Sequence, residues 1–192
     1  INYLEDNGVR FGADINAYTA FDQTVYSISN VPTQRTGLVD SCLLILHDWS
    51  GYITLDAEEI DAERKVIHEE WRTKRNVRDR IYEQTLPKLF PDSNRYAYRM
   101  PIGLMEVVDH FPYQALRDYY HRWYRPDLQA VIVVGDVDAA YVEKRIGKLW
   151  SDVEVPTNAP ERIYYTVADN ASPIVAIGTD PELSSGTLRI SF

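Results

Sequence analysis

The sequence predicts an α+β fold in which helices cover one face of a sheet. Two short segments near the start, residues 15–19 and 24–28, alternate apolar and polar side chains around a polar turn, which is typical of an antiparallel strand pair. A third apolar segment, residues 129–134, lies between two segments with helical periodicity. Because the strands and helices are mixed rather than strictly alternating, we expect helices packed on a single sheet.

Helical spacing marks the elements on either side of the strand pair. A short helical segment precedes Gly8, and apolar residues recur every three or four positions from Leu38 to Trp49, before Gly51. The next stretch, residues 55–86, contains neither Gly nor Pro and predicts one long helix.

The ends of that long helix have their own signals. Asp56 is the expected N-cap, since its short carboxylate can accept hydrogen bonds from the first free N–H groups. Pro87 is the expected stop, because proline lacks an N–H and clashes with the preceding turn. An irregular stretch is expected over residues 90–103, where prolines recur.

The second half of the sequence predicts two more helices and then a linker. The helices span residues 112–124 and 139–150 and flank the apolar strand, which is predicted to be buried. Pro156 and Pro160 mark the linker. We therefore divide the chain into residues 1–155, a linker over residues 156–166, and a β-rich tail over residues 167–192.

Composition excludes several classes of protein. With 192 residues, of which 45% are hydrophobic, the chain can bury a sizeable core. Twenty basic and 29 acidic residues give a net charge of −9, which argues against a nucleic-acid surface. The longest apolar run is far shorter than the ~20 residues of a membrane span. Cys42 is the single cysteine, and its apolar neighbours favour a buried thiol.

Two glutamates on the long helix are candidates for a functional site. With Ile60 at zero and a step of about 100° per residue, Glu63 lies near 300° and Glu70 near 280°. Both fall within the arc of the apolar side chains of this helix, where unpaired carboxylates are costly. Either they form a functional pair, or they are acids at the rim of the apolar face with Arg or Lys partners.

A second candidate is the segment of residues 11–19, which includes Asn16, Ala17 and Tyr18. By composition alone it is a strand that begins after a glycine and carries polar residues on one face. The ends of the sequence suggest an excised piece of a longer protein, since it opens within a helix pattern, without a Met, and closes within a strand pattern.

Taken together, these segments resemble the insulinase/pitrilysin family of zinc peptidases, which includes the mitochondrial processing peptidases. The similarity is carried by residues 8–12, 16–26, 63–72, 101–103, 119–127 and 131–137. Bacterial single-chain members are especially similar, because periplasmic representatives share the sequence Glu-Glu-Trp-Arg of residues 69–72. The tail resembles the entry strand of the family's second, non-catalytic repeat.

The resemblance implies a fold and a site. The fold is a two-layer α/β sandwich of the metallohydrolase type, truncated here at both ends. Glu70 corresponds to the third zinc ligand. Glu63 corresponds to the acid that does not bind the metal itself but orients the residues that do. Asn16, Ala17 and Tyr18 correspond to the edge strand that binds the peptide substrate by strand addition.

The sequence departs from the family pattern in one respect. The family's His-x-x-Glu-His motif supplies two zinc ligands and the general base, and it occurs nowhere in this chain. We therefore expect no catalytic residue here, with the base located upstream of Ile1. The resemblance implies part of the catalytic repeat of a zinc endopeptidase acting on peptides or unfolded segments, with the second repeat as partner and the periplasm as the favoured compartment. The alternative is a non-catalytic homologous subunit or half that binds polypeptide through its sheet edge.

Overall fold

The computed structural model describes residues 2–35, 37–90, 94–167 and 169–191, which form two compact units. The first unit contains residues 1–60 and 111–161, and the second contains residues 61–110 and 162–192. Mixed helices and a small sheet confirm the α+β class. No helix in the described part of the chain is both long and apolar enough to cross a bilayer.

In the described residues, the first unit is built from four helices, the start of a fifth and one strand pair. They are α1 (Asn2–Asp6), β1 (Ile15–Thr19), β2 (Thr24–Ile28), α2 (Leu38–Gly51), the first turn of α3 (Ala57–Lys74), α6 (Tyr113–Trp123) and α7 (Ala139–Leu149). Short 3-10 turns lie at Pro126–Leu128 and Trp150–Asp152. The predicted helices around Leu38 to Trp49, 112–124 and 139–150 are thus confirmed to within two residues at either end.

The core of this unit lies where α1, β1 and α2 meet. Its buried members are Leu4, Val9, Ile15, Leu38 and Cys42. Partly buried residues from β2 and α2 pack against them, including Ile28 and Trp49. Cys42 is buried as expected, and burial raises the pKa of its thiol. The strand pair is therefore held against α2 by one apolar face.

Aromatic side chains tie the strand pair to helix α6. The Tyr26 and Tyr124 hydroxyl oxygens are 2.9 Å apart, and the rings of Tyr120 and Tyr124 lie 4.4 Å apart between centroids. The Tyr120 hydroxyl donates a hydrogen bond of 2.7 Å to the carbonyl of Trp49. These contacts fix β2 and α2 relative to α6.

The second unit contains the rest of α3, then α4 (Val77–Leu89), a 3-10 turn at Arg95–Ala97, α5 (Met105–His110) and the tail. Within the predicted irregular stretch of residues 90–103, residues 91–93 lie outside the described part of the chain, as does Ala168 of the tail. No strand is assigned in the described residues of the tail. Its residues near Thr179 lie along α4 instead.

The prediction of one long helix over residues 55–86 was wrong. The helix stops at Lys74, and α4 begins after Asn76, whose side chain accepts from the N–H groups of Arg78 and Asp79. The Asp79 carboxylate accepts from the Asn76 N–H in return, which completes a capping box. The reciprocal cap starts a new helix without Gly or Pro. The prediction that the helix stops at Pro87 was also wrong, because α4 continues through this residue to Leu89.

The prediction of a buried strand at residues 129–134 was wrong as well. These residues are not assigned to a strand, and Ile132 and Val134 are 82% and 91% exposed. Every second side chain of the segment is more buried than its neighbours, so burial alternates along the segment as it does in a strand. A strand also needs a hydrogen-bonding neighbour, and the described residues provide none for this segment.

Candidate peptide-binding edge and metal-ligand helix

Strand β1 is the element that the sequence predicts to bind peptide. It pairs with β2 in an antiparallel register that places Asn16 opposite Ser27 and Tyr18 opposite Val25. Beyond the ladder, the Ser29 N–H donates to the Asp14 carbonyl, and the Ala20 N–H donates to the Gln23 carbonyl. Hydrogen-bonded pairs alternate along such a ladder. The backbone groups of Asn16 and Tyr18 therefore point toward β2.

The backbone groups of the intervening residues point to the opposite, outer edge. At Ile15 this edge is occupied by the chain itself, since the Ile15 N–H donates to the Arg10 carbonyl and the Ile15 carbonyl accepts from Gly12. Ala17 and Thr19 are exposed and have no neighbouring strand on that side in the described residues. Ala17 and Thr19 are thus the positions of β1 whose backbone groups face outward without a neighbouring strand in the described residues.

The start of β1 is fixed by a buried carboxylate that the sequence analysis did not identify. Asp14 is 2% exposed and accepts from the Arg10 N–H and Nε, both at 2.9 Å, and from Asn30 Nδ2 at 2.7 Å. The hydrogen bond from the Arg10 guanidinium, followed by the one from Asn30, holds the Asp14 pKa far below its usual range. The only local signal was the four-residue spacing of Arg10 and Asp14.

Helix α3 carries the two candidate glutamates. Glu63 is exposed, whereas Glu70 is partly buried and forms an ion pair with Lys74, from Oε1 to Nζ at 2.5 Å. The predicted apolar arc around them is incomplete, because Ile60 is buried but Val66 is 55% exposed. Lys74 is the basic partner that the non-functional interpretation of Glu70 anticipated.

The side chains next to Glu70 are engaged in other pairs. Glu69 accepts from Arg72 at 2.7 Å, and this hydrogen bond lowers the Glu69 pKa. His68 Nε2 lies 2.6 Å from an Asp109 carboxylate oxygen. Arg64 donates to the carbonyl of Val108. Contacts from α5 therefore hold α3 along the side that carries Arg64 and His68.

The described residues do not form a complete zinc site. No group of three or more His, Cys, Asp or Glu side chains converges in the part of the chain that the structure describes. Zinc in peptidases takes three protein ligands and keeps one position open. Glu70 supplies one carboxylate, and the described residues bring no second and third such group beside it.

Two family models match the sequence, and together they cover most of it. Residues 1–95 match the model described as insulinase (peptidase family M16), and residues 110–192 match the model described as the peptidase M16 inactive domain. The probable zinc protease PqqL of Escherichia coli is 39% identical over 176 residues, which are 88% of this chain and 18% of that protein. The chain thus spans about a fifth of the length of this curated relative.

Two solved structures have the same fold over most of the chain. The first half of the periplasmic protease PqqL from Escherichia coli matches with a TM-score of 0.78 and 37% identity, covering 88% of this chain and 36% of that one. A mutant of the ferredoxin protease FusC in complex with Arabidopsis ferredoxin matches with a TM-score of 0.75 and 32% identity, covering 85% and 18%.

Proposed function

The chain belongs to the insulinase family, peptidase family M16, and on that premise we propose that it is part of the catalytic repeat of a zinc endopeptidase. The substrates proposed are peptides and unfolded segments of proteins. The chain alone is proposed to be inactive, because it contains no His-x-x-Glu-His motif. The relatives that carry the name zinc protease support the reaction class.

The outer edge of β1, which has no neighbouring strand at Ala17 and Thr19 in the described residues, is the observation that supports peptide binding. Ala17 and Thr19 present backbone N–H and C=O groups in the arrangement that an added strand uses. Such hydrogen bonds are formed with the main chain of a peptide and not with its side chains. This suits an enzyme that accepts many sequences.

The metal-ligand role of Glu70 and the supporting role of Glu63 remain proposals. Zinc, when bound in a peptidase, polarises the scissile carbonyl and lowers the pKa of its bound water. Glu70 would give one oxygen ligand after release from Lys74, and the remaining ligands would come from residues outside this sequence. Glu63, seven residues earlier on α3, would orient the ligands through hydrogen bonds.

The non-catalytic alternative retains one observation in its favour. Residues 110–192 match the family's inactive-domain model. In that case the edge of β1 would bind polypeptide for a partner to cleave. Zinc content of the full-length protein separates the two functions, because only the peptidase requires bound metal.

The proposed partners and compartment follow the same relatives. A second homologous repeat of the same longer chain is the proposed internal partner, since a solved structure of this fold is a first half. That relative is named a periplasmic protease, and we propose the periplasm for this protein.

The experiment uses the full-length protein with three single substitutions on α3. Glu70→Gln should lose most of the bound zinc and nearly all turnover of a quenched peptide, because an amide oxygen is a poorer ligand than a carboxylate. Glu63→Gln should lose about 10–100-fold in zinc affinity or activity. Glu69→Gln is the matched control and should keep both, since Glu69 pairs with Arg72.

Atomic emission spectroscopy measures zinc stoichiometry beside turnover. Full zinc occupancy in the Glu70→Gln protein would remove Glu70 from the ligand set. A wild-type protein with neither zinc nor turnover would favour the non-catalytic alternative.

A further inference from the structure

The Asn16 side chain occupies a backbone group on the outer edge of β1. Its Oδ1 accepts a hydrogen bond of 2.9 Å from the N–H of Ala17. The alternation of the ladder directs this N–H away from β2, toward the side where a peptide would add. The Asn16 side chain is therefore hydrogen-bonded to one of the two outward N–H groups of β1, those of Ala17 and Thr19, that face no neighbouring strand in the described residues.

We propose that Asn16 is an internal plug for the peptide-binding edge, which an incoming peptide carbonyl must displace from the Ala17 N–H. This inference rests on the proposed binding of peptide to β1. Without peptide, the carboxamide satisfies a donor that would otherwise be open to any exposed strand. With peptide, the side chain swings away and the substrate carbonyl takes its place.

The surroundings of Asn16 allow this exchange. Asn16 is exposed, so no packing holds its side chain in place. Its backbone faces β2, where the Asn16 carbonyl also accepts from Ser27 Oγ at 3.3 Å. The backbone of Asn16 can stay in the ladder while the side chain moves. At Ile15 the edge is taken by backbone from residues 10–12 instead, and a side-chain rotation cannot open it.

A plug competes with the ligand, so removing it should tighten peptide binding. A net hydrogen bond between uncharged groups corresponds to about a 2–12-fold change in an equilibrium constant. Asn16→Ala should lower the peptide Kd by this factor. Asn16→Asp should raise the Kd by a similar factor, because a carboxylate accepts from the Ala17 N–H more strongly than an amide does.

The probe is a fluorescein-labelled dodecapeptide of Ala, Ser, Thr and Gly with blocked ends, which carries no charge that the Asp variant could repel. Binding to the full-length protein is followed by anisotropy, with metal removed by a chelator so that no peptide is cleaved. A Kd that is unchanged or raised in Asn16→Ala overturns the plug.

Ala17→Pro separates failure of the plug from failure of the binding site. Proline removes the Ala17 N–H and is tolerated on an edge strand when that N–H faces outward. Weaker binding by Ala17→Pro, with no tightening by Asn16→Ala, would retain the edge as the site and reject the plug. If Ala17→Pro binds as tightly as wild type, β1 is not the peptide site and both proposals fail. Far-UV circular dichroism verifies that each variant is folded.

Discussion

Gln84 pairs with the backbone of Thr179 through both ends of its side-chain amide. Its Nε2 donates to the Thr179 carbonyl at 3.0 Å, and its Oε1 accepts from the Thr179 N–H at 3.1 Å. Two residues earlier along the tail, the Ile177 carbonyl accepts from Lys88 Nζ at 2.8 Å. Side chains of α4 thus supply backbone hydrogen bonds to this segment of the tail, which is not part of a strand.

The close approach of this segment to α4 predicts that a side chain at Gly178 destabilises the fold. A Cβ at Gly178 would lie 2.8 Å from Ile81 Cγ2 and 3.2 Å from the Ile81 carbonyl oxygen. Because the carbonyl belongs to a helix and cannot move freely, Gly178→Ala should lower the free energy of unfolding by about 1–3 kcal/mol. Urea denaturation measures the change.

Gly186→Ala is the matched control, since a Cβ at Gly186 has no neighbour within 4 Å. It should leave stability unchanged or raise it slightly. Equal stability of the two variants would show that the tail does not lie against α4 in solution.

The ion pair between Arg80 and Asp180 predicts an acid-dependent step in stability. The Asp180 side chain is 6% exposed and accepts from Arg80 Nε at 2.7 Å. The hydrogen bond from Arg80 lowers the pKa of Asp180 from 3.8 to about 2. Stability from the ionised carboxylate is present above pH 3.8 and is lost as the pH falls toward 2.

Asp180→Asn should therefore be less stable than the wild type near neutral pH, and the difference should shrink below pH 3.8. Urea unfolding at a series of pH values gives both curves. A constant difference across this range would contradict the role of the ionised carboxylate.

The chain by itself should show no peptidase activity. One carboxylate cannot fix a tetrahedral zinc ion, and the sequence has no His-x-x-Glu-His base. Incubation with zinc and a quenched peptide library tests this expectation. Turnover that persists through repurification and disappears in Glu70→Gln would refute it.

Sequence reasoning succeeded where the signal was local. Helix α2 and the strand pair were predicted because apolar spacing and turn residues mark them within a few positions. The break at Asn76 was missed because a reciprocal cap, unlike Gly or Pro, leaves helix-forming residues on both sides. At residues 129–134 the pattern was that of a strand, but pairing depends on a neighbour that the segment's own residues do not reveal.

The candidate site shows the same limit. The pairing of β1 with β2 could be predicted from the alternation of apolar and polar residues. The assignment of Asn16, Ala17 and Tyr18 to a peptide-binding edge comes from the family resemblance and stays a prediction. The role of Asp14 could not be predicted, because its partner Asn30 lies 16 residues away on the other side of the β1–β2 hairpin. The Gln84 contact spans 95 residues and has no local signal.

The uncovered segment at residues 129–134 has a consequence for colloidal behaviour. Its apolar side chains, including Ile132 and Val134, face solvent beside a backbone that forms no ladder within the described chain. Short, uncharged, β-branched segments of this kind pair readily with copies of themselves. The net charge of −9 opposes such contacts at neutral pH, and this protection weakens near the isoelectric point of about 4.9. We therefore expect mild acid or high salt to bring the isolated chain toward self-association.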